Sequence, residues 1–171
     1  METIRGIYFR RDDYASFWLR LLVDLIDAAT AGVLCCVAIL ALWVFVPPGL
    51  VLFVCAAISF GYFVLLKRSP GGTLGYRLGG VRIVRLDGQR VGLLALTVRM
   101  LFMVLGPANY LLDLVLMTND IHRQALRDKF TDTYVIKKHA VPAGSGKVVR
   151  RYYEILFYNF LFREVEVDRA P

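Results

Sequence analysis

The sequence predicts an all-α membrane protein with two transmembrane helices, a broken third apolar segment, a small cytoplasmic β-ribbon and a C-terminal amphipathic helix. Three observations carry this prediction: 57% of the residues are hydrophobic, the stretch 28–66 contains no charged residue, and basic residues lie between the apolar runs. A soluble domain has about 45–50% apolar residues, and disordered chains have fewer. The composition therefore excludes disorder and argues against an ordinary water-soluble domain.

Two spanning helices are predicted at about 17–46 and 50–67, separated by Pro47-Pro48-Gly49. Two prolines and a glycine break a helix and favour a tight turn. The first helix exceeds the roughly 17 residues needed to cross a bilayer, and the second is close to that minimum. The first apolar stretch is too long for a cleaved signal peptide, and a second one follows at once.

The loop 67–92 carries most of the evidence on orientation. It contains one acid, Asp87, and six basic residues: Lys67, Arg68, Arg77, Arg82, Arg85 and Arg90. The positive-inside rule places such a loop, and the N-terminus two spans earlier, in the cytoplasm. The same placement explains the net charge of +7. We therefore expect the lipid bilayer as a partner and no nucleic acid.

Within that loop, Asp87-Gly88 lies between the β-prone segments 81–85 and 89–91, which predicts a short β-ribbon. The segment 132–136 is predicted to form another short strand, which could pair with the ribbon at 81–91 only if both lie on the same side of the membrane.

The third apolar segment, 91–118, is interrupted by Gly106-Pro107-Ala108-Asn109. It forms either one kinked spanning helix or two half-helices that return to the cytoplasmic side. Basic residues follow it, which favours the return. These are Arg123, Arg127, Lys129, Lys137 and Lys138.

The small residues 140–146 predict a linker, which divides the chain into a transmembrane domain, 1–139, and a C-terminal region, 140–171. The segment from Lys147 mixes aromatic, aliphatic and charged residues and is too short and too charged to span. An amphipathic helix lying on the membrane surface, or docked on a partner, is the expectation.

Charged side chains inside the apolar segments predict an intramembrane cluster of Arg20, Asp24, Asp27, Arg99 and Asp113. The first three are spaced i, i+4 and i+7, on one helix face. A carboxylate near the bilayer centre costs about 2.5–3.5 kcal/mol, so Asp27 must face the protein interior and find a donor, or become protonated. One interpretation is a structural clamp, with Arg20 paired to Asp24, and Asp27 to Arg99 or another donor. The other is a site that handles ions or protons.

The remaining motifs predict neither an enzyme nor a cofactor or metal site. Cys35, Cys36 and Cys55 lie in apolar runs, without metal-ligand spacing. His122 and His139 fall in charged segments that we expect to be solvated. No nucleophile–base pair can be named. The glycine-rich stretch 71–75 lacks a P-loop lysine, which favours a tight turn with Thr73 capping a short helix.

Three motifs in order resemble those of the RDD family of bacterial membrane proteins, named for one Arg and two Asp. They are FWLRLLVDLID at 17–27, GTLGYRLGGVRIV at 72–84 followed by Asp87-Gly88, and QALRDKF at 124–130 followed by TYVI at 133–136. The resemblance covers about residues 15–138 and leaves the C-terminal segment outside.

The resemblance implies that Arg20 is the family's Arg and Asp27 its first Asp. Asp128 matches the closing motif, whereas Asp113 lies in the third apolar segment, so both remain candidates for the second Asp. Gly72, Gly75 and Arg77 belong to the central motif. The family commonly has His before the closing Asp, where this chain has Arg127.

Two functions remain open. The resemblance implies a bacterial inner-membrane protein and transport, with cation/proton exchange proposed for some members. A transport component for a cation, proton or small solute would need a homo-oligomer or a partner membrane protein, because so few spans cannot easily enclose a pathway. The alternative is a non-catalytic assembly or regulatory subunit in which the buried charges form a clamp.

Overall fold

The computed structural model describes residues 5–104, 106–155 and 158–166, and those residues contain both helices and strands. Five β-strands form two sheets, one of three strands and one of two. The prediction of an all-α protein is therefore wrong. The strands come from segments rich in β-branched and aromatic residues, which favour a pleated, half-buried surface.

An apolar hairpin is formed by α1 (Phe17–Leu42) and α2 (Pro48–Phe60), and α2 continues as a π-helix, Gly61–Leu66. The hydroxyl of Ser16 starts α1 by accepting a hydrogen bond from the Leu19 amide at 3.3 Å. A proline occupies the first turn of α2, where its missing N–H would have had no helical partner.

Both arms of this hairpin are long and apolar enough to cross a membrane. Phe17–Leu42 and Pro48–Leu66 reach a mean hydropathy of 2.3 and 2.4. Their large apolar side chains face outward, and Leu40 and Leu52 are 81% and 71% exposed. An apolar surface of this kind fits a lipid environment, as the two predicted spans require.

The third apolar segment is broken into α4 (Leu93–Val104) and α5 (Pro107–Asn119), of 12 and 13 residues. Each is shorter than the roughly 17 residues that a span needs. Gly106 has φ +76°, a left-handed conformation that suits glycine, and a proline follows it. The chain before α4 and the chain after α5 meet in one sheet, so the segment returns to the side from which it started.

That sheet consists of β2 (Val81–Arg85) and β3 (Thr133–Lys137), which pair antiparallel. Each strand follows a short helix, α3 (Leu74–Leu78) before β2 and α6 (Leu126–Thr131) before β3. The predicted strand at 132–136 is confirmed by β3. These two helices place the central and closing motifs beside α1.

The partner predicted for the strand at 81–85 is wrong, because β2 pairs with β3 rather than with 89–91. The Asp-Gly turn itself is present. The Gly88 amide donates to the Arg85 carbonyl at 2.9 Å, and Gly88 has φ +79°. One further bond, from the Arg85 amide to Gln89 at 3.1 Å, links the two arms of the turn. The local Asp-Gly signal thus predicted the turn correctly, but β2 pairs with β3, which is distant in the sequence.

The C-terminal segment folds as a β-hairpin, so the predicted amphipathic helix is wrong. β4 (Gly144–Ile155) pairs antiparallel with β5 (Tyr158–Val165). The N-terminal strand β1 (Arg5–Tyr8) pairs with the start of β4, which begins inside the predicted linker. The sheet order is β1-β4-β5.

Side chains of β5 alternate between the two faces of the sheet. Leu161 and Arg163 are exposed, whereas Phe162 and Glu164 are buried. This period of two, with aromatic residues on both strands, is typical of a half-buried sheet and incompatible with a helical face. The sheet is completed by β1, which comes from the other end of the chain. The sequence of the C-terminal segment alone therefore does not reveal this third strand.

The two sheets share one hydrophobic core. Phe9, Tyr14, Leu86, Tyr134 and Val165 are all buried in it. The Ile7 amide of β1 also donates to the Leu86 carbonyl at 2.7 Å, which ties the three-stranded sheet to the chain after β2. Residues before and after position 139 therefore contribute to the same core.

Candidate functional site

A buried carboxylate on α6 lies at the centre of a charged network. Asp128 accepts one hydrogen bond from the Arg20 guanidinium of α1 and another from the Arg99 guanidinium of α4. None of the three residues is more than 4% exposed. Burial alone would raise the pKa of the Asp128 carboxyl, but Arg20, Arg99 and Arg127 hold it well below its usual range. Asp128 is therefore ionised at neutral pH.

Arg20 also connects α1 to three backbone carbonyls. Its Nε donates to Ala15 at 3.2 Å, and its Nη2 donates to Arg123 at 2.9 Å and Val135 at 3.4 Å. The planar guanidinium suits this role, because its five donors point in fixed directions. One side chain thus joins the start of the first spanning helix to β3 and to the turn before α6.

Arg127 forms the second half of the network. Its Nη2 donates to Asp24 Oδ2 at 2.5 Å, and its Nε lies 3.7 Å from Asp113 Oδ2. The other oxygen of Asp113 accepts from the Leu126 amide at 2.9 Å. Burial would lower the pKa of Arg127, but the carboxylates of Asp24, Asp113 and Asp128 raise it. Arg127 therefore stays charged and joins α1 to α5.

The network is balanced in charge and closed to water. It holds three arginines and three aspartates, from α1, α4, α5 and α6. Two small clefts beside Arg127 have no room for a water molecule. An ion would therefore have to displace an existing pair to enter this arrangement.

Asp27 lies apart from the arginines and caps α3 instead. Its carboxylate accepts from the Tyr62 hydroxyl at 3.0 Å, the Thr73 hydroxyl at 2.6 Å and the Gly75 amide at 2.7 Å. Asp27 is fully buried. Thr73 precedes α3 as predicted, but its hydroxyl bonds Asp27 and does not cap the helix.

The structure brings together most of the predicted charges but pairs them differently. The pairing of Arg20 with Asp24 is wrong, because Arg20 pairs with Asp128 and Asp24 with Arg127. Asp27 does not pair with Arg99 and instead accepts hydrogen bonds from neutral donors, the second possibility within the clamp interpretation. The spacing of the charged residues on α1 identified the buried face of that helix. Which ion pairs form depends on where α4 and α6 pack, and the spacing does not show this.

The glycines of the central motif serve two different purposes. Gly75 lies where α3 touches α1, and a Cβ there would overlap the Val23 carbonyl oxygen and lie 2.7 Å from Asp27 Oδ1. Gly72 has φ +63°, which a turn before α3 requires. Arg77 is exposed, and its Nε donates to the Gly71 carbonyl at 2.7 Å.

Replacing Gly75 with Ala should lower the free energy of unfolding by about 1–3 kcal/mol, since a methyl group must push α3 away from α1. The matched control is Gly32→Ala in α1, where a Cβ meets no atom within 4 Å. That change should be neutral or stabilising by up to about 1 kcal/mol, because alanine favours helix. Unfolding in detergent micelles measures both. Equal stability of the two variants would contradict the close approach of α3.

A second buried charged group was not predicted. Lys129 forms ion pairs with Asp120 and Glu164, and its Nζ lies 4.2 Å from the centre of the Tyr153 ring. The Tyr153 hydroxyl also donates to Glu164. In the sequence, Lys129 is one of several basic residues after the third apolar segment. The alternation of β5, once recognised, would have placed Glu164 on the buried face.

The prediction that His122 is solvated is wrong, whereas His139 is exposed. His122 Nδ1 lies 2.9 Å from the Tyr14 hydroxyl, and Nε2 lies 3.1 Å from the Val165 carbonyl. Burial raises the pKa of Tyr14 above its usual value, so its hydroxyl stays neutral. The histidine thus connects the turn before α6 to the three-stranded sheet.

Comparison with known proteins bears on the resemblance noted in the sequence. No curated protein and no solved structure matches the chain. Among protein families, the RDD family matches over residues 14–132, a range that includes the whole Arg–Asp network. Taken with two helices apolar enough to cross a bilayer, this match indicates a membrane protein. The chain belongs to the RDD family.

Proposed function

We propose that this protein is a non-catalytic assembly or regulatory subunit of a membrane complex, in which the buried charges act as a structural clamp. The observation that carries the proposal is the closed network around Asp128 and Arg127. Each arginine is matched by a carboxylate from another helix, and the clefts beside them exclude water. Such a network fixes helices relative to one another.

The clamp connects the spanning hairpin to the extramembrane sheets. Arg20 and Asp24 lie on α1, and their partners lie on α6, which leads directly into β3. Asp27 holds α3, which leads into β2. The same buried charges that sit in the membrane hairpin therefore position the two-stranded sheet. A rigid platform of this kind suits a subunit that presents a surface to a partner membrane protein or to a second copy.

Transport of a cation, a proton or a small solute is the second candidate, and one observation favours it. Among the described residues, Asp113 Oδ2 and Arg127 Nε are buried without a hydrogen-bond partner. An incompletely bonded carboxylate in an apolar helix is a candidate ligand for a proton or cation. An oligomer would have to supply the rest of such a pathway.

Ion flux separates the two candidates. We expect proteoliposomes of the wild-type protein to show no flux above empty liposomes under Na⁺, K⁺ or proton gradients. Asp27→Asn should lower the free energy of unfolding in detergent by about 1–3 kcal/mol, because an amide offers one acceptor oxygen to three donors. Asp12→Asn, at an exposed position, is the control. A wild-type flux that Asp27→Asn abolishes without loss of stability would replace the clamp with transport.

The proposed location is the bacterial inner membrane, with the N-terminus and the 67–92 loop in the cytoplasm. The excess of basic residues in that loop supports this orientation. Because β2 pairs with β3, we expect the residues that follow α5 to lie on the same side of the membrane as the 67–92 loop.

Cysteine labelling tests this orientation in a variant lacking Cys35, Cys36 and Cys55. We expect Lys138→Cys to react with a membrane-impermeant maleimide after permeabilisation only, and Val44→Cys, in the turn between α1 and α2, to react in intact spheroplasts. Both positions are exposed, so the two variants control for each other. Labelling of residue 138 from outside would overturn the proposed orientation.

A further inference from the structure

A cavity of about 570 Å³ opens where the end of the second spanning segment, the glycine-rich loop and β2 meet. Its volume falls in the range of small-ligand sites, about 300–1,000 Å³. Among the residues that the structure describes, six cationic side chains line it, and no Asp or Glu does. They are Lys67, Arg68, Arg77, Arg82, Arg90 and Lys138. None of the six members of the Arg–Asp network lines this cavity, so it is a separate site.

These six cations form no salt bridge within the described residues, although Lys67 lies close enough to Asp24 to interact with it electrostatically. Within the described part of the chain, no carboxylate lies within 4 Å of any of the six, whereas neighbouring Arg85 pairs with Asp87 at 3.3 Å. Like charges gathered in a concave surface repel one another and produce a positive potential that attracts an anion. The missing negative charge is therefore expected to come from a ligand.

Two of the cations are held in place by neutral contacts that leave donors free. Arg77 Nε donates to the Gly71 carbonyl at 2.7 Å, and a Cβ at Gly71 would overlap the Arg77 guanidinium. Arg82 Nη2 donates to the Ala140 carbonyl at 2.9 Å. Each guanidinium keeps further N–H groups for a second acceptor. Guanidinium donors in a fixed fork match the oxygens of phosphate.

The position of the cavity fits a ligand at the membrane surface. Lys67 follows the last residue of the apolar segment Pro48–Leu66, and its Nζ lies 4.4 Å from the centre of the Tyr76 ring. Basic residues directly after a spanning helix lie at the level of phospholipid headgroups. We propose that this cavity binds a phosphate-bearing anion, either the headgroup of an anionic phospholipid or a soluble phosphate compound. The phosphate group would be contacted by the six cationic side chains and not by the backbone amides of a P-loop.

The test uses the full chain purified in a neutral detergent, with two probes. The lipid probe is phosphatidylglycerol added to the micelles, compared with phosphatidylcholine, and the soluble probe is inorganic pyrophosphate. Bound probe is counted by native mass spectrometry, and the dissociation constant comes from the thermal shift. The cavity variant is Arg68→Gln with Arg90→Gln, since neither side chain has a hydrogen bond or ion pair within the described residues. The matched control, Arg10→Gln with Arg11→Gln, removes the same charge from exposed positions outside the cavity.

We expect one of the two anionic probes to bind the wild-type protein and phosphatidylcholine not to compete. The cavity variant should bind that probe about 25-fold more weakly, at about fivefold for each basic residue, while the control keeps wild-type affinity. Loss of phosphatidylglycerol binding alone assigns the site to a lipid headgroup, and loss of pyrophosphate binding assigns it to a soluble phosphate. Binding of neither probe, or an equal loss in the control, would overturn the proposal.

Discussion

Replacing Asp128 with Asn should lower the free energy of unfolding by about 3–5 kcal/mol, because it leaves Arg20 and Arg99 buried without their shared carboxylate. The shape of the side chain is kept, so the loss reports on charge rather than on packing. Reversible unfolding by a denaturing detergent in mixed micelles gives the free energy. Asp12→Asn is the matched control, since Asp12 is exposed, and it should stay within about 0.5 kcal/mol of the wild type.

A double variant separates the charge balance from the loss of a hydrogen-bond acceptor. Arg99→Gln removes one of the two cations that contact Asp128. In the Asp128→Asn background, this second change should cost less than it does in the wild type, with a coupling of at least about 1 kcal/mol. Additive losses would contradict the view that the network is held together by its charge balance.

The same experiment bears on the choice between clamp and transport. In a clamp, the variants that lose most stability are those that unbalance the buried charges, and Asp128 pairs with two buried arginines at once. In a transport site, substitutions of these residues would abolish ion flux before they lowered the free energy of unfolding. The pKa of Asp128 favours the clamp, because three surrounding arginines keep the carboxyl from taking up a proton even though burial opposes its charge.

Local signals in the sequence predicted the elements that depend on neighbouring residues. The charge-free stretch and its Pro-Pro-Gly break predicted α1 and α2, and the Gly-Pro interruption predicted the division between α4 and α5. The β-prone run at 132–136 predicted β3. In each case the deciding residues lie within one turn of the feature they specify.

Elements that depend on distant partners were not predictable in this way. β4 and β5 carry enough charge to resemble an amphipathic surface helix, and the strand that completes their sheet, β1, lies more than a hundred residues earlier. Likewise, β2 has a turn signal beside it but pairs with β3, which follows it after three intervening helices. Tertiary pairing overrode the local preference.

The candidate site follows the same division. Burying a charge in a membrane costs free energy, so charged residues within the apolar segments were candidates from the sequence alone. All five are buried: Arg20, Asp24, Asp27, Arg99 and Asp113. The pairing could not be derived, because it depends on where α6 packs. Arg127 and Lys129 resembled solvated cations after the third apolar segment and are instead buried.

Lys129→Met should also lower the free energy of unfolding at pH 7 by about 3–5 kcal/mol. Methionine keeps an unbranched apolar side chain, one atom shorter than that of lysine, but Asp120 and Glu164 lose their common cation. The matched control is Lys147→Met, at an exposed position, which should change the stability by no more than about 0.5 kcal/mol.

The pH dependence of the Lys129→Met deficit identifies its cause. Burial raises the pKa of Glu164, but in the wild type Lys129 holds it below its usual value of 4.5. Glu164 therefore contributes stability that is present above pH 4.5 and lost as the pH falls further. Lys129, whose pKa is raised despite burial, remains charged throughout this range. Without that cation, burial dominates, the Glu164 pKa rises, and protonation on acidification relieves the buried charge.

The two stability curves should consequently converge as the pH is lowered from 7 towards 4. The variant regains part of its lost stability as Glu164 takes up a proton, while the wild type begins to lose the contribution of Glu164 only below pH 4.5. Unfolding measured at several pH values in one detergent gives the difference directly. A deficit of constant size across that interval would show that Lys129 stabilises the sheet through packing on Tyr153 rather than through its charge.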